Sequence, residues 1–170
     1  MPGLPSQPLP RVESVPQDQA SAFAILRRPQ VEGDSLPEER WPSLEGGMVG
    51  RLGLNPSLAR RASTDAGDAW VIPGNGFVCL DCGGACCNTA EAAAAGQIVT
   101  WTSTRSGDRC IVHGLVPDGV SEVTLVTTTG ATGEVSVRDN VYGAVLDGPF
   151  LATVRFIAPA GPVELGPWGG

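Results

Sequence analysis

The chain contains no lysine, and all 11 of its basic residues are arginine. That absence excludes the phosphate-binding loop ending in Gly-Lys-Ser/Thr, protein-kinase chemistry with its β-strand lysine, and every enzyme that works through a Schiff base. Histidine occurs once, at His113, so any Ser/His/Asp or Cys/His catalysis has to pass through that residue. Neither a Gly-x-Ser-x-Gly elbow nor a His-Glu-x-x-His pair is present, and Pro56 blocks the one glycosylation triplet, at Asn55. Charge is sparse at 17%, and 11 basic against 18 acidic side chains leave a net charge of −7. A nucleic-acid partner is therefore excluded, because a polyanion is repelled before contact. Long apolar runs are missing too. The cluster Ala22 to Leu26 is too short to span a membrane, and the opening Met1 to Pro10 holds four prolines. The start shows none of the parts of a secretory leader, which needs a basic end, an apolar region of roughly 7 to 15 residues and a small-residue cleavage site.

Glycine (23) and proline (15) are abundant, while the hydrophobic fraction of 42% is enough for a core. At 170 residues the chain is read as one domain with an extension. Residues 1–17 are proline-rich, polar and without apolar period, which predicts a flexible arm. Residues 18–68 form a helix-containing extension. Asp18 is placed to cap a helix over Gln19 to Arg28 that Pro29 limits, and Asn55-Pro56 starts a helical turn through Ala62. Arg27-Arg28 and Arg60-Arg61 are read as helix C-terminal charges.

Residues 69–170 change texture, to short β-branched runs between turn residues. Ala69 to Pro73 and Phe77 to Leu80 flank Gly74-Asn-Gly as a hairpin, and Asn88 with Glu91 opens a two-turn helix that Gly96 ends. Strands are expected at Gln97 to Thr102, Cys110 to Val116, Glu122 to Thr128, Glu134 to Arg138, Val141 to Leu146 and Leu151 to Ile157. Alternation puts Val123, Leu125 and Thr127 on one face, Val135 with Val137, and Ala152 with Val154 and Phe156. The expected class is all-β, an antiparallel sandwich or partly open barrel of about eight short strands with two or three short helices.

Five cysteines carry the sharpest local pattern: Cys79-Leu-Asp-Cys82-Gly-Gly-Ala-Cys86-Cys87, with Cys110 further on. In a disulfide reading Cys79 pairs with Cys86 or Cys87, and a second bridge uses two of the remaining thiols, Cys110 among the candidates. In a zinc reading Cys79, Cys82, Cys110 and His113 supply three thiolates and an imidazole to a tetrahedral structural site. Against it, 27 residues lie between Cys82 and Cys110, and Cys110 and His113 point to opposite faces of a strand. As a redox dithiol, Cys79-x-x-Cys82 follows a strand rather than opening a helix, and Asp81 disfavours the thiolate. His113 lies in an apolar run and reads as a core or edge residue before it reads as a catalyst. Trp70 and Trp101 are read as core and Trp41 and Trp168 as packing caps rather than a sugar platform. Asp108, Asp118, Asp139 and Asp147 are read as turn formers, not calcium ligands.

Several phrases occur together: Phe23-Ala-Ile-Leu-Arg-Arg-Pro-Gln, Asn55-Pro-Ser-Leu-Ala-Arg-Arg-Ala, Trp70-Val-Ile-Pro-Gly, Gly114-Leu-Val-Pro-Asp-Gly-Val and Arg138-Asp-Asn-Val-Tyr. With them the chain after residue 20 resembles a group of uncharacterised, often exported β-rich proteins of high-GC Gram-positive bacteria. The resemblance brings no activity. It implies recurring cysteines at Cys79 and at Cys86 or Cys87, whereas Cys82, Cys110 and His113 depart from the pattern. The expected role is non-catalytic: a secreted or cell-envelope module that is structural or binds a protein or envelope component, with no cofactor and no assigned catalytic residue. The alternatives are a zinc-stabilised intracellular (cytoplasmic) protein and a hydrolase using His113.

Overall fold

The computed structural model describes residues 3–168. Met1 and Pro2 of the expected arm, and Gly169 and Gly170 of the expected β domain, lie outside the described residues. The elements in chain order are α1 (Gln17–Ala22), α2 (Ala24–Arg27), α3 (Pro42–Glu45), β1 (Arg60–Thr64), β2 (Gly67–Pro73), β3 (Phe77–Asp81), β4 (Ala85–Thr89), α4 (Ala90–Ala94), β5 (Ile98–Ser103), β6 (Arg109–Leu115), β7 (Glu122–Thr127), β8 (Thr132–Ser136), β9 (Val141–Asp147), β10 (Leu151–Ala158) and β11 (Gly161–Leu165). The fold is β-dominated. Its strands form three antiparallel sheets, ordered β1-β2-β3-β4, β5-β6-β9 and β11-β10-β7-β8, and no sheet closes into a barrel.

Three apolar clusters fill the spaces between layers. Val71, Val78 and Leu80 of the first sheet meet Phe23, Ile25, Ile98, Leu115 and Val141. The second and third sheets enclose Val112, Tyr142, Leu125, Val154 and Phe156. The other face of the first sheet, with Trp70, Ile72, Phe77 and Cys79, is covered by Leu36, Leu44, Leu52 and Leu54. β2 and β3 are thus buried on both faces, which is why their sequences read as continuous apolar runs rather than alternating ones.

Three of the strands, β1, β4 and β11, lie outside the eight that the sequence predicts. Asn55-Pro56 does open a helical turn, but only the single 3₁₀ turn Pro56–Leu58, with the Asn55 carboxamide oxygen accepting from the Ser57 N–H. The chain then runs straight into β1, so the β body begins at Arg60 instead of residue 69. Arg60 is no helix-terminal charge. It is buried and donates to the carbonyls of Arg28 and Leu58. β4, to which the sequence assigns no strand, pairs along β3, and β11 is an edge strand in which Pro162 needs no ladder partner.

Two local readings change in detail. The first helix breaks in two at the extended Phe23, whose ring is fully buried, and its expected cap Asp18 makes no capping hydrogen bond. The N–H groups of Ala24 and Ile25 are instead taken by the side chains of Asp118 and Asn140. Asn140 also donates to Asp118, which accepts from Arg27, so these five residues lock the helices onto the turns that follow β6 and precede β9. Asp139 and Asn140 both have positive φ, and Arg138 and Val141 exchange backbone hydrogen bonds across them, the geometry of a tight two-residue hairpin turn. In β10 a register shift between Leu151 and Thr153 overturns the expected parity: Leu151, not Ala152, shares the core with Val154 and Phe156.

The proline-rich segment is not a free arm where it is described. Leu9 and Val12 donate backbone hydrogen bonds to the Arg51 and Gly53 carbonyls, Asn55 and Asn75 donate to Val12 and Pro10, and Leu4, Leu9 and Val15 pack on the core. Prolines lower the entropy cost of holding such a strap extended, and three spaced apolar side chains suffice to anchor it.

α4 follows its sequence signature closely. Thr89 rather than Asn88 is the cap, accepting from the Ala92 N–H. Gly96, at positive φ, closes the other end, with its own N–H bonding Ala93 and that of Gln97 bonding Ala92.

Candidate functional site: the cysteine hairpin

The β3–β4 hairpin carries four of the five cysteines. Register places Cys79 directly opposite Cys87, with their Cα atoms 4.1 Å apart, and these two form a disulfide. Cys86 faces Leu80 instead, on the other side of the strand. The strand's twofold alternation therefore chooses between the two partners that the spacing leaves open.

Cys82, Cys86 and Cys110 are free thiols. Burial raises the Cys82 pKa, and the Asp81 carboxylate and Cys86 add to the effect, so it is pushed up to about 11. Burial raises Cys86 and Cys110 as well. All three are protonated near neutrality, the opposite of what a nucleophilic or redox-catalytic cysteine needs. Cys110 is fully buried between the second and third sheets.

The four residues of the zinc reading are not gathered. Cys79 is spent in the disulfide, Cys82 packs on the opposite face of its sheet, and Cys110 and His113 point to opposite sides of β6. Among the described residues, no three His, Cys, Asp or Glu side chains lie close enough to hold a metal ion.

His113 is 4% exposed. It sits opposite Thr100 and Gly143, and the missing side chain of Gly143 makes room for the ring's Cδ2 and for Thr64 above it. Burial lowers the imidazole pKa below its usual value, against the pull of the Gly67 carbonyl, and Nε2 has no hydrogen-bond partner. A general base needs a hydrogen-bonded nucleophile and access to substrate, and neither is found at this ring.

Tyr142 presents a second orphan. It is fully buried, lies against Gly114 of the neighbouring strand, and its hydroxyl has no partner. Replacing Tyr142 with Phe removes an unpaired polar atom and little else. The expected result is stabilisation by about 1 kcal/mol, read as a higher urea midpoint with an unchanged m value.

Around the disulfide the surface is apolar and structured by Arg40, to which the sequence assigns no role, together with Asp81 and Trp70. Asp81, 2% exposed, accepts from the Gly83 N–H and pairs with Arg40 at 3.0 Å, and the Arg40 guanidinium lies 4.6 Å from the Trp70 ring centre. These groups come from three separate stretches of chain, so no local spacing announces them. Beside the bridge is a cavity of about 270 Å³ walled by Leu4, Met48, Leu52, Phe77, Ala85 and Cys87. Met48 at its margin is 59% exposed. A wider trough of about 520 Å³ crosses the outer face of the third sheet, where Arg155 and Glu164 form an ion pair beside Thr124 and Ile157. Of the tryptophans, Trp70 is core as expected, while Trp101 is half-buried and stacks with Trp168 at 5.1 Å between ring centres.

No helix is long and apolar enough to cross a membrane among the described residues. Comparison with protein-family models, with curated proteins and with solved structures finds no match in any of the three, so the reading of this site rests on its own geometry.

Proposed function

We propose that the chain is a non-catalytic β module of the secreted fraction or the cell envelope, with a structural or binding role toward a protein or envelope component. The observation that carries this reading is the Cys79–Cys87 disulfide between adjacent strands of the doubly covered first sheet. A disulfide of this kind points to an oxidising compartment. The chemistry-bearing side chains support the same reading. The only imidazole is sealed under β1, and the free thiols are held protonated by burial. The resemblance to exported β-rich proteins and the net charge of −7 agree with it. The apolar cavity beside the bridge offers a binding role a place, though one smaller than the pockets that usually hold drug-sized ligands.

Under this proposal Cys79 and Cys87 of the native protein resist alkylation after denaturation without reductant, and all five cysteines react after reduction. Opening a loop with a sequence separation of 8 is expected to cost about 2 to 3 kcal/mol, so reductant lowers Tm by roughly 5 to 10 °C. A broad ester and peptide hydrolysis screen stays silent. Five alkylatable thiols without reductant, or turnover that disappears in His113→Ala, overturns the proposal.

A further inference from the structure

We propose that Cys82 and Cys86 are a second disulfide site, left open in this structure, which closes when the folded protein meets a small-molecule or protein disulfide. The hairpin places the two thiols together. Cys86 is the register partner of Leu80, and Cys82 lies two residues beyond Leu80, one past the end of β3, so continued alternation makes the two diagonal neighbours on one face. Both pack against the same apolar cluster, while Cys79 and Cys87 occupy the other face.

Diagonal neighbours stand about 7 Å apart at Cβ, and a disulfide needs about 4 Å, so the turn between them has to move by roughly 3 Å. That turn is Gly83-Gly84, and at both glycines the space where a side chain would project is empty. The movement meets no side chain there, and what it has to stretch are the hydrogen bonds from the Gly83 N–H to Asp81 and from the Cys82 N–H to the Gly84 carbonyl. Cys110 cannot compete, being fully buried on the far side of the second sheet.

The chemistry is ordinary thiol–disulfide exchange. One thiol of the pair loses its proton to solvent, and its sulfur attacks the external disulfide, forming a mixed disulfide and expelling one thiolate. The second thiol, deprotonated in turn, attacks the protein-bound sulfur, forms the Cys82–Cys86 bond and expels the other thiolate. The external disulfide gains two electrons and leaves as two thiols. Closure also removes the S–H that Cys86 directs at the Val99 carbonyl, 3.9 Å away on β5, so the contact between the first and second sheets changes with the oxidation state.

This inference is independent of the compartment proposed above, because the oxidant is supplied to purified protein. Native protein is incubated with excess glutathione disulfide, then denatured, alkylated and digested without reduction. The expected result is a fall from three alkylatable cysteines to one, Cys110, with a crosslinked Cys82–Cys86 peptide beside the original Cys79–Cys87 peptide. The rate is expected to rise about tenfold per pH unit between pH 7 and 9 as the thiolate fraction grows. Cys86→Ser should stop at a stable glutathione adduct on Cys82. Three cysteines still free, a wild-type protein that stops at the glutathione adduct, or a crosslink to Cys110 each overturns the proposal. The wild-type peptide map decides the matter even if the variant does not fold.

Discussion

Asp34→Ala is expected to destabilise the fold by about 3 to 5 kcal/mol, the range for leaving partners of a buried charge uncompensated. The Asp34 carboxylate is 2% exposed and takes four hydrogen bonds: two from the Arg28 guanidinium, at 2.7 and 2.9 Å, and one each from the backbone N–H groups of Val31 and Arg61. It ties the end of α2, the connection after it and β1 at a single point. Burial pulls its pKa upward, but the hydrogen bonds and the charge of Arg28 outweigh that and hold the carboxyl well below its usual 3.8. Since the folded value is the lower one, the unfolded chain binds more protons below that range. The contribution is therefore complete well above pH 4 and drains away as pH falls below it. Urea melts of wild type and Asp34→Ala should differ most near neutrality and converge in acid. Equal stabilities at pH 7 would refute the clamp.

Gly114→Val is expected to cost about 3 kcal/mol or more, measured as a loss of urea midpoint or of soluble expression. A side chain at Gly114 would occupy the space of the Tyr142 ring. Neither party can yield, because β6 is the middle strand of its sheet and Tyr142 is fully enclosed. The smaller change Gly114→Ala should therefore be costly in the wild type and nearly neutral in a Tyr142→Ala background, where the ring has gone. Additive effects in that double-mutant cycle would place the strain elsewhere.

The sheets were legible in the sequence where β-branched alternation ran between strong turn residues. Glu122 to Thr128 and Val141 to Leu146 lie within a residue or so of β7 and β9, and Gly74-Asn-Gly does join β2 to β3. β1 escaped because Arg60-Arg61 follows a genuine Asn-Pro helix start, and nothing local says that the helix stops after one turn. β4 escaped because Cys86-Cys87-Asn88 has little strand preference of its own and is held in place by pairing with β3. The disulfide was legible to within one residue, since spacing named Cys79 and the 86/87 pair. Only register separates two adjacent cysteines that point opposite ways. The Asp34 clamp left no trace, as its donors at residues 28, 31 and 61 share no period. The strap over the first sheet was hidden for a related reason: three leucine or valine anchors among prolines look unstructured until the surface they cover is known.

That strap and the segments after it have a practical meaning for anyone trimming the gene. A fragment starting at residue 69 would keep most of the strands but strip the roof from the outer side of the first sheet. Trp70, Ile72 and Phe77 would then face water as an oily patch, next to a fresh unpaired edge where β1 had been. The first two fifths of the chain are thus the piece that keeps the remainder from sticking to itself.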